Sequence, residues 1–249
     1  MSKITAVILA AGMGVRMGPR GKLMPKGFLQ VGGATLIEQS VAALRTHGVG
    51  RIIIVTGHLS RQYEALYGGT DIELIYNPHY ANTGSLQSLF TALPVVETAC
   101  LIAESDLVYA PQALAPLDGR VNRFLVSGLT GAGDEQYVWT QKDQSGRDLM
   151  QDVSKDRNFR AETPLGEMIG LSVLTADTVK RMCNLAQREL ARTPEEHYEP
   201  GFVALAREVE IECPLLLDLP WAEVDDEDML DRAERLVFPR VAAARAALV

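Results

Sequence analysis

The chain has 249 residues, of which 47% are hydrophobic and 22% are charged, and this composition is ordinary for a globular protein with an ample core. The net charge of −8 disfavours nucleic acid or an anionic membrane as the main partner, because both attract basic surfaces. No apolar run reaches the roughly 18 residues of a membrane span. A predicted core strand starts at the N-terminus, so we expect no secretory leader and a cytoplasmic protein.

The cysteines and histidines predict neither disulfides nor a zinc site. Cys100, Cys183 and Cys213 are odd in number and far apart, which predicts free buried thiols. Free thiols are typical of a reducing compartment. The four histidines show no metal-ligand spacing.

The start of the chain combines a buried strand with a glycine-rich turn and cations. Residues 4–11 are apolar and uncharged, which predicts a strand buried on both faces. The strand ends at Gly12 and Gly14, where the backbone can turn tightly and approach a ligand. Arg16 and Lys26 follow, and cations beside exposed backbone N–H groups form a cradle for a polyphosphate.

The glycine spacing separates this turn from two other phosphate-binding loops. Gly12-x-Gly14 lacks a third glycine three residues on, so the dinucleotide fingerprint does not match. No Gly-Lys-Ser/Thr follows, which excludes a Walker A loop. A glycine-rich turn after a core strand would explain the glycines alone, but it would not explain the cations and the Pro-Lys pair that follow.

Strands and helices alternate after the turn. The pattern predicts a helix capped by Thr35 and Glu38, a strand over 51–56, a helix over 60–67 and a strand over 72–76. This alternation predicts parallel strands and right-handed crossovers in a three-layer α/β fold. Ligands of such sheets bind outside the carboxyl ends of the strands, where the glycine-rich turn would lie.

The segment 77–85 follows a predicted strand and precedes a helix that Ser85 can cap. A loop in this position offers backbone donors beside polar side chains, and such groups could read the edge of a pyrimidine. A plain turn with an N-cap is the alternative interpretation. The segment alone does not decide between the two.

Two carboxylates directly follow predicted strands. Asp106 comes after the strand over 99–103, where a carboxylate beside a phosphate cradle is well placed to hold Mg²⁺. A helix cap is the alternative role for Asp106. Asp225 ends a strand over 221–224, and the acids at 226–228 complement the dipole of the next helix. The dipole does not explain why an acid directly ends the strand.

Residues 119–166 have a less regular pattern. We interpret them as a small β insertion that builds the wall of an acceptor site, with a surface hairpin as the alternative. Strands are predicted at 123–127 and 137–139. Lys155 follows the next strand and is a candidate for binding an anionic group, although a solvated lysine is the competing interpretation. No linker or repeat interrupts the chain, so we expect a single domain over 1–249.

With these residues in view, the chain resembles the CTP-dependent cytidylyltransferases of the phosphonate-biosynthesis and phosphocholine group, within the nucleotidyltransferase superfamily. The first motif, Leu-Ala-Ala-Gly-x-Gly-x-Arg-Met over residues 9–17 with Pro25-Lys26, is common to the superfamily. Later motifs narrow the resemblance to this group, with the phosphonate branch the more similar. They are Asn82–Leu86, Glu104–Leu107, Leu129–Glu135, Ser154-Lys155, Gly166-Glu167 and Trp221–Asp226.

The resemblance implies a three-layer Rossmann-like nucleotidyltransferase fold with a mostly parallel central sheet. It also implies that Arg16 and Lys26 are catalytic and hold the CTP phosphates, and that Asp106 and Asp225 bind Mg²⁺ as cofactor. The implied nucleotide contacts are Leu9, Ala10, Ala11, Gly12, Gly14, Thr83, Gly84 and Ser85. The implied acceptor contacts are Lys155, Tyr137, Asp134, Tyr198 and Glu223.

The implied reaction transfers CMP from CTP to a small phosphonate and releases pyrophosphate. The candidate acceptors are 2-aminoethylphosphonate, 2-hydroxyethylphosphonate and phosphonoformate. A phosphocholine cytidylyltransferase is an alternative, although the aromatic and acidic box that holds trimethylammonium in those relatives is incompletely matched here. A sugar-1-phosphate nucleotidyltransferase is a further alternative, because it shares the first motif.

Two other classes fit the sequence less well. A dinucleotide-dependent oxidoreductase is disfavoured by the missing third glycine. A non-enzymatic nucleotide sensor of the same fold is disfavoured by the retained acids. The expected partners are therefore CTP and a small anionic phosphonate or phosphate acceptor. Dimers are common among proteins of this group, so a homodimer is among the expected assemblies.

Overall fold

A nine-stranded sheet runs through the middle of the computed structural model, which describes residues 4–247. The strands are β1 Thr5–Ala10, β2 Gln30–Val31, β3 Ala34–Thr35, β4 Arg51–Thr56, β5 Glu73–Tyr76, β6 Cys100–Glu104, β7 Leu107–Tyr109, β8 Arg123–Ser127, β9 Tyr137–Lys142, β10 Asp148–Ser154, β11 Gly166–Leu174, β12 Leu215–Leu216 and β13 Trp221–Glu223. The helices are α1 Leu36–Thr46, α2 Ser60–Tyr67, α3 Ser85–Ala92, α4 Ala176–Leu190, α5 Tyr198–Ala206, α6 Glu227–Arg232 and α7 Phe238–Ala246. In this part of the chain no helix is both long enough and apolar enough to cross a bilayer.

The order of the sheet, β10-β9-β11-β6-β1-β4-β5, places β1 among the central strands. β5, β4, β1 and β6 pair in parallel, because a helical crossover joins each strand to the next one in the chain. β11 is antiparallel to β6, β8 and β9, and β12 pairs with β8 at the margin. The predicted three-layer Rossmann-like α/β fold with a parallel centre is confirmed.

Helices cover both faces of the sheet, which explains why β1 is uncharged and buried at every position. Val7 and Leu9 pack against α3, α4 and α5, whereas Ala6 and Ile8 pack against α1 and α2 on the opposite face. The predicted start of α1 is also confirmed. Thr35 accepts a hydrogen bond from the Glu38 N–H, and the Glu38 carboxylate accepts one from the Thr35 N–H at 3.1 Å.

The strands of residues 119–166 pair within the central sheet. β8 lies beside β11, and β9 and β10 form an antiparallel hairpin at the edge of the sheet. The register pairs Tyr137 with Ser154, so Gln136 and Lys155 flank the open end of this hairpin. Both side chains line the same cavity as the glycine-rich turn.

A two-stranded ribbon brings the two predicted metal-binding segments together. β7 and β13 pair antiparallel with Glu223 opposite Leu107, and the Val224 N–H donates to the Asp106 carbonyl at 3.0 Å. Asp106 directly precedes β7, and Asp225 follows β13 after a single residue. The ribbon therefore places both carboxylates at the same end of the molecule.

We expect Cys183 to react first with a thiol reagent in the folded protein. Cys100 and Cys213 are buried as predicted, whereas Cys183 is only half-buried. Burial raises the pKa of the Cys100 thiol to about 12, and the thiolate is the reactive form. Mass spectrometry after brief labelling at pH 8 should find the label on Cys183, with the other two cysteines labelled only in denaturant. Equal labelling of Cys100 in the folded protein would contradict this account.

Candidate active site

A cavity of about 740 Å³ opens at the carboxyl ends of β1 and β6. Its volume is typical of a small-molecule site, and its position is where parallel α/β sheets bind ligands. It is lined by fourteen of the residues that the sequence assigns to a site, namely Leu9, Ala10, Ala11, Gly12, Gly14, Arg16, Lys26, Thr83, Gly84, Ser85, Asp106, Lys155, Glu223 and Asp225.

The glycine-rich turn leads into short 3-10 turns rather than a helix. Gly14 has a φ of 60°, a left-handed conformation that favours glycine, and the chain then makes 3-10 turns at Val15–Met17, Arg20–Lys22 and Lys26–Phe28. A Cβ atom on Gly21 would lie 2.2 Å from the Gly14 carbonyl oxygen, so the turn folds tightly on itself. This path differs from the dinucleotide-binding turn, in agreement with the glycine spacing.

The predicted catalytic cations contact the predicted metal ligands directly. The Lys26 ammonium donates to Asp106 Oδ2 at 2.9 Å and also contacts Asp225. Arg16 pairs with Asp225 as well. We call Arg16, Lys26, Asp106 and Asp225 the ion-pair cluster. The Asp225 side chain is 1% exposed, whereas that of Arg16 is 50% exposed, so the cluster runs from the protein interior to the cavity mouth.

Opposite charges favour the ionised forms of Lys26 and Asp225 despite their burial. Burial alone would lower the pKa of Lys26, but Asp106 and Asp225 raise it above its ordinary value. Burial alone would raise the pKa of Asp225, but the neighbouring Lys26 ammonium lowers it. The cavity floor therefore carries fixed charges of both signs at neutral pH.

A second group of acids lies beside the ion-pair cluster. Glu104, Asp106 and Glu223 each present a carboxylate oxygen within 4.8 Å of the others. Burial and the Asp106 carboxylate raise the pKa of Glu104, and burial and Glu104 raise the pKa of Glu223. The sequence analysis did not assign Glu104 to the site. Glu104 is the last residue of β6 and lies two positions before Asp106. Because side chains two positions apart in a strand point to the same face, this spacing could have indicated that Glu104 lies beside Asp106.

The predicted base-reading loop is held by the backbone of residues 194–198. The Gly84 N–H donates to the Pro194 carbonyl and the Leu86 N–H to the Glu196 carbonyl, both at 3.2 Å. The prediction that Ser85 caps α3 is wrong, because Gly84 occupies the N-cap position. Ser85 Oγ instead accepts a hydrogen bond from the Tyr198 N–H at 3.1 Å. A neighbouring segment thus supplies the acceptors that a side-chain cap would otherwise provide.

We expect Gly84→Ala to weaken both folding and nucleotide binding. A Cβ atom at this position would lie 2.2 Å from the Glu196 carbonyl oxygen and 2.3 Å from that of Glu195, so the two segments must separate. Overpacking of this kind costs about 1–3 kcal/mol of stability. Denaturant titration and calorimetric CTP binding measure the two effects. Gly128→Ala is the matched control, because its nearest contacts lie at 3.6 Å, and an equal loss in both variants would contradict the account.

Three predicted acceptor residues do not line the main cavity. Tyr198 is 1% exposed, and its hydroxyl donates to Glu104 Oε1 at 2.9 Å. Asp134 is occupied by Arg16 and by Lys155, whose Nζ lies 2.6 Å from Asp134 Oδ1. The Tyr137 ring packs against Trp139 with centroids 6.4 Å apart. These side chains are engaged in core packing or in ion pairs and do not line the cavity. The spacing of residues in the sequence does not reveal such contacts.

Gln136 and Glu199 also line the cavity. The sequence analysis gave no role to Gln136, whereas Glu199 falls near a position of the aromatic and acidic box of the phosphocholine relatives. Gln136 precedes β9 and faces the cavity from the hairpin. Glu199 lies in the first turn of α5, directly after Tyr198. Its Oε2 atom is buried and has no hydrogen-bond partner among residues 4–247. Only the proximity of Gln136 to the predicted site residue Tyr137 could have indicated it.

The glycine-rich turn, two cationic side chains and several carboxylates lie together at the carboxyl ends of parallel strands. This fold and site define a nucleotidyltransferase. Residues 6–120 match the family model of the MobA-like NTP transferase domain.

Sequence and structure comparisons agree with this class. The chain is 30% identical over 198 residues to the 2-aminoethylphosphonate cytidylyltransferase of Lancefieldella rimae, covering 78% of this chain and 76% of that protein. It is 36% identical over 85 residues to the choline-phosphate cytidylyltransferase of Streptococcus pneumoniae, covering 34% of this chain and 37% of that protein. The solved structure of a CTP:phosphocholine cytidylyltransferase from Streptococcus pneumoniae superposes with a TM-score of 0.79 at 19% identity, covering 94% of this chain and 99% of that one.

The chain therefore belongs to the nucleotidyltransferase family that includes the 2-aminoethylphosphonate and choline-phosphate cytidylyltransferases. The resemblance seen in the sequence motifs is confirmed at this level. Enzymes of the family act on nucleoside triphosphates and phosphate-bearing acceptors, and the chain carries a cluster of acids that could hold a divalent cation.

Proposed function

We propose that this enzyme transfers CMP from CTP to a small phosphonate and releases pyrophosphate. The observation that carries the proposal is the ion-pair cluster beside the glycine turn, because it places cations for a polyphosphate next to acids for a metal ion. The relative that the chain matches over about three quarters of its length is a phosphonate cytidylyltransferase. That similarity supports a phosphonate as the acceptor.

The proposed nucleotide site lies along the end of β1. Leu9, Ala10 and Ala11 would contact the nucleoside, and the backbone from Gly12 to Gly14 would contact the phosphates. The loop Thr83–Ser85 would read cytosine. The backbone contacts of this loop with residues 194–198 support a rigid reading surface, since they hold it independently of side-chain rotamers.

The proposed chemistry is in-line attack by a phosphonate oxygen on the α-phosphorus of CTP. The new bond joins that oxygen to the α-phosphorus, and the bond from the α-phosphorus to the bridging oxygen breaks, so pyrophosphate leaves with the electron pair. The acceptor oxygen is already anionic, and no general base is needed. Catalysis then rests on positioning and on neutralising charge. Arg16 and Lys26 would offset charge on the β- and γ-phosphates.

Asp106 and Asp225 would hold Mg²⁺. Carboxylate oxygens are the ligands that this ion prefers, and Asp106 and Asp225 are two buried carboxylates that both contact Lys26. The ion would supply Lewis-acid stabilisation of phosphate oxygens. The ion pairs of both acids with Lys26 hold the two carboxylates side by side at the cavity.

The acceptor would lie between the hairpin end and the acids. Lys155 is the proposed contact for its anionic head, and this lysine lines the cavity beside Gln136. Residues 119–166 would in this way form the acceptor wall of a single catalytic domain. Glu223, which lines the same cavity, completes the proposed acceptor site.

A phosphocholine acceptor is the second candidate, supported by the sequence match to a choline-phosphate cytidylyltransferase. A sugar-1-phosphate acceptor is a third candidate, suggested by the motif at the glycine turn. Product analysis separates the three. Phosphorus NMR of a reaction with CTP, Mg²⁺ and 2-aminoethylphosphonate should show a new phosphonate–phosphate anhydride. A product formed with UTP or ATP in place of CTP at equal rate would contradict the proposed nucleotide.

A further inference from the structure

We propose that His58 and Gln62, here called the loop clamp, are positioning residues that hold the glycine-rich turn in the shape that receives a triphosphate. The inference rests on the proposed function, because it concerns the segment proposed to bind the CTP phosphates. Neither residue is among those that line the cavity, so both act through the backbone of residues 12–24.

Three hydrogen bonds join the junction of β4 and α2 to the glycine-rich turn. The His58 N–H donates to the Ala11 carbonyl at 3.1 Å, directly after β1. The His58 ring Nε2 lies 2.9 Å from the Gly21 carbonyl oxygen, and Nε2 is the donor because a carbonyl oxygen only accepts. The Gln62 Nε2 donates to the Leu23 carbonyl at 2.7 Å. These contacts fix the segment at both of its ends.

The Gly21 backbone supports the phosphate-binding part of the turn. A Cβ atom on Gly21 would lie 2.2 Å from the Gly14 carbonyl oxygen. A Cβ atom on Gly14 would in turn lie 3.3 Å from Lys26 Cγ. Because groups packed this closely move together, a shift of the Gly21 carbonyl would displace the backbone proposed to contact the phosphates.

The chain between the two clamp residues adopts a costly backbone conformation. Leu59, the N-cap of α2, has a φ of 55°. Among residues 4–247 it is the only residue other than glycine with a positive φ. Side chains disfavour this region, and such outliers persist where the surrounding structure enforces them, often at functional sites. This turn lets His58 and Gln62 donate to carbonyls that are only two residues apart in the chain.

The same helix also supports the segment that carries Lys26. Tyr63 follows Gln62 in α2 and is fully buried, and its ring meets that of Phe28 edge-on with centroids 4.9 Å apart. A Cβ atom on Gly27 would lie 3.0 Å from Tyr63 Oη. The start of α2 therefore backs both segments that are proposed to contact the triphosphate.

The test measures the binding of two nucleotides that differ only in their phosphates. We expect His58→Leu and Gln62→Met each to weaken CTP binding about tenfold in calorimetry with Mg²⁺ and without acceptor. CMP lacks the β- and γ-phosphates, so its affinity should change by less than about threefold. A general loss of structure would weaken both nucleotides alike. Equal losses for CTP and CMP, or no loss for CTP, would overturn the proposal.

Conservative variants assign the effect to the hydrogen bonds. His58→Gln keeps an N–H donor for the Gly21 carbonyl and should retain CTP affinity within about threefold. Leu59→Gly should retain it as well, because glycine adopts the left-handed conformation without a steric cost. Glu64→Met is the control for Gln62→Met, because it removes a polar side chain from an exposed position of the same helix. Equal weakening in His58→Gln and His58→Leu, or in the Gln62 and Glu64 variants, would overturn the clamp.

Hydrogen exchange separates this inference from the proposed function. Amides of residues 12–24 should exchange about tenfold faster in His58→Leu than in the wild-type protein, with α4 as the unaltered reference. Unchanged exchange of this segment would overturn the clamp even if CTP is turned over. Faster exchange, with no binding of CTP and a selective loss for another nucleoside triphosphate, would support the clamp and contradict the proposed nucleotide. Binding of no triphosphate by the wild-type protein would overturn both.

Discussion

Replacing Lys26 by methionine should lower kcat/KM about 1,000-fold, because oriented cations that neutralise developing phosphate charge are worth about 3–4 kcal/mol each. Methionine keeps an unbranched side chain of similar length and removes the charge together with its three N–H donors. Lys26 is held by Asp106 at 2.9 Å and by Asp225, so its ammonium is already in place before a phosphate arrives. A pyrophosphate-release assay at varied CTP concentration measures the loss.

The same substitution should also destabilise the folded protein. Removing one partner of a buried ion pair leaves the other charge uncompensated, which costs about 3–5 kcal/mol. Thermal unfolding should therefore show a lower Tm for Lys26→Met. Lys22→Met is the matched control, because it removes a lysine from an exposed position of the same turn. Equal activity in the Lys26 and Lys22 variants would show that the ion-pair cluster has no catalytic role.

Asp106→Ala should lose turnover by about three orders of magnitude and still fold. Its carboxylate is proposed to hold the metal ion, and stabilisation of phosphoryl charge by a bound ion contributes several kcal/mol to catalysis. The Asp106 side chain is 12% exposed, and Lys26 keeps Asp225 as a partner after the substitution, so the structural cost is smaller than for Lys26. Initial rates and circular dichroism measure the two properties.

Metal binding supplies a readout that does not depend on turnover. Manganese is a spectroscopic substitute for magnesium, and its binding followed by electron paramagnetic resonance should weaken at least tenfold in Asp106→Ala. Asp228→Ala is the control, because it removes an exposed acid from α6 close to Asp225 in the chain. Near-normal turnover in Asp106→Ala, or unchanged manganese affinity, would contradict the metal-binding role.

The parallel half of the fold was predictable because local signals there agree with one another. The uncharged β1, the capping box of Thr35 and Glu38 and the regular alternation that follows all indicate the same crossover architecture. The site residues at the ends of these strands were predictable for the same reason, since topology alone places Gly12, Gly14 and Asp106 at one edge of the sheet.

The other features of the site could not be predicted, because they depend on contacts between segments that are distant in the chain. Ser85 is a residue type that commonly caps helices. In the structure the Leu86 N–H instead donates to the Glu196 carbonyl, and the Ser85 hydroxyl accepts a hydrogen bond from the Tyr198 N–H. Tyr198 has the appearance of a ligand contact, but its ring is part of the core beside Phe202, with centroids 5.9 Å apart. No local pattern predicts such pairings, and the hydrogen bond from Tyr198 in α5 to Glu104 at the end of β6 is a further example.

The measurement that tests the central claim most directly is pyrophosphate release with CTP and Mg²⁺ against a panel of acceptors. The panel contains 2-aminoethylphosphonate, 2-hydroxyethylphosphonate, phosphonoformate, phosphocholine and glucose-1-phosphate. The account predicts release with at least one of the three phosphonates at a rate above those with phosphocholine and glucose-1-phosphate. Release with glucose-1-phosphate at a comparable or higher rate would move the enzyme to the sugar branch of its family, and release with none of the five would contradict the proposed reaction.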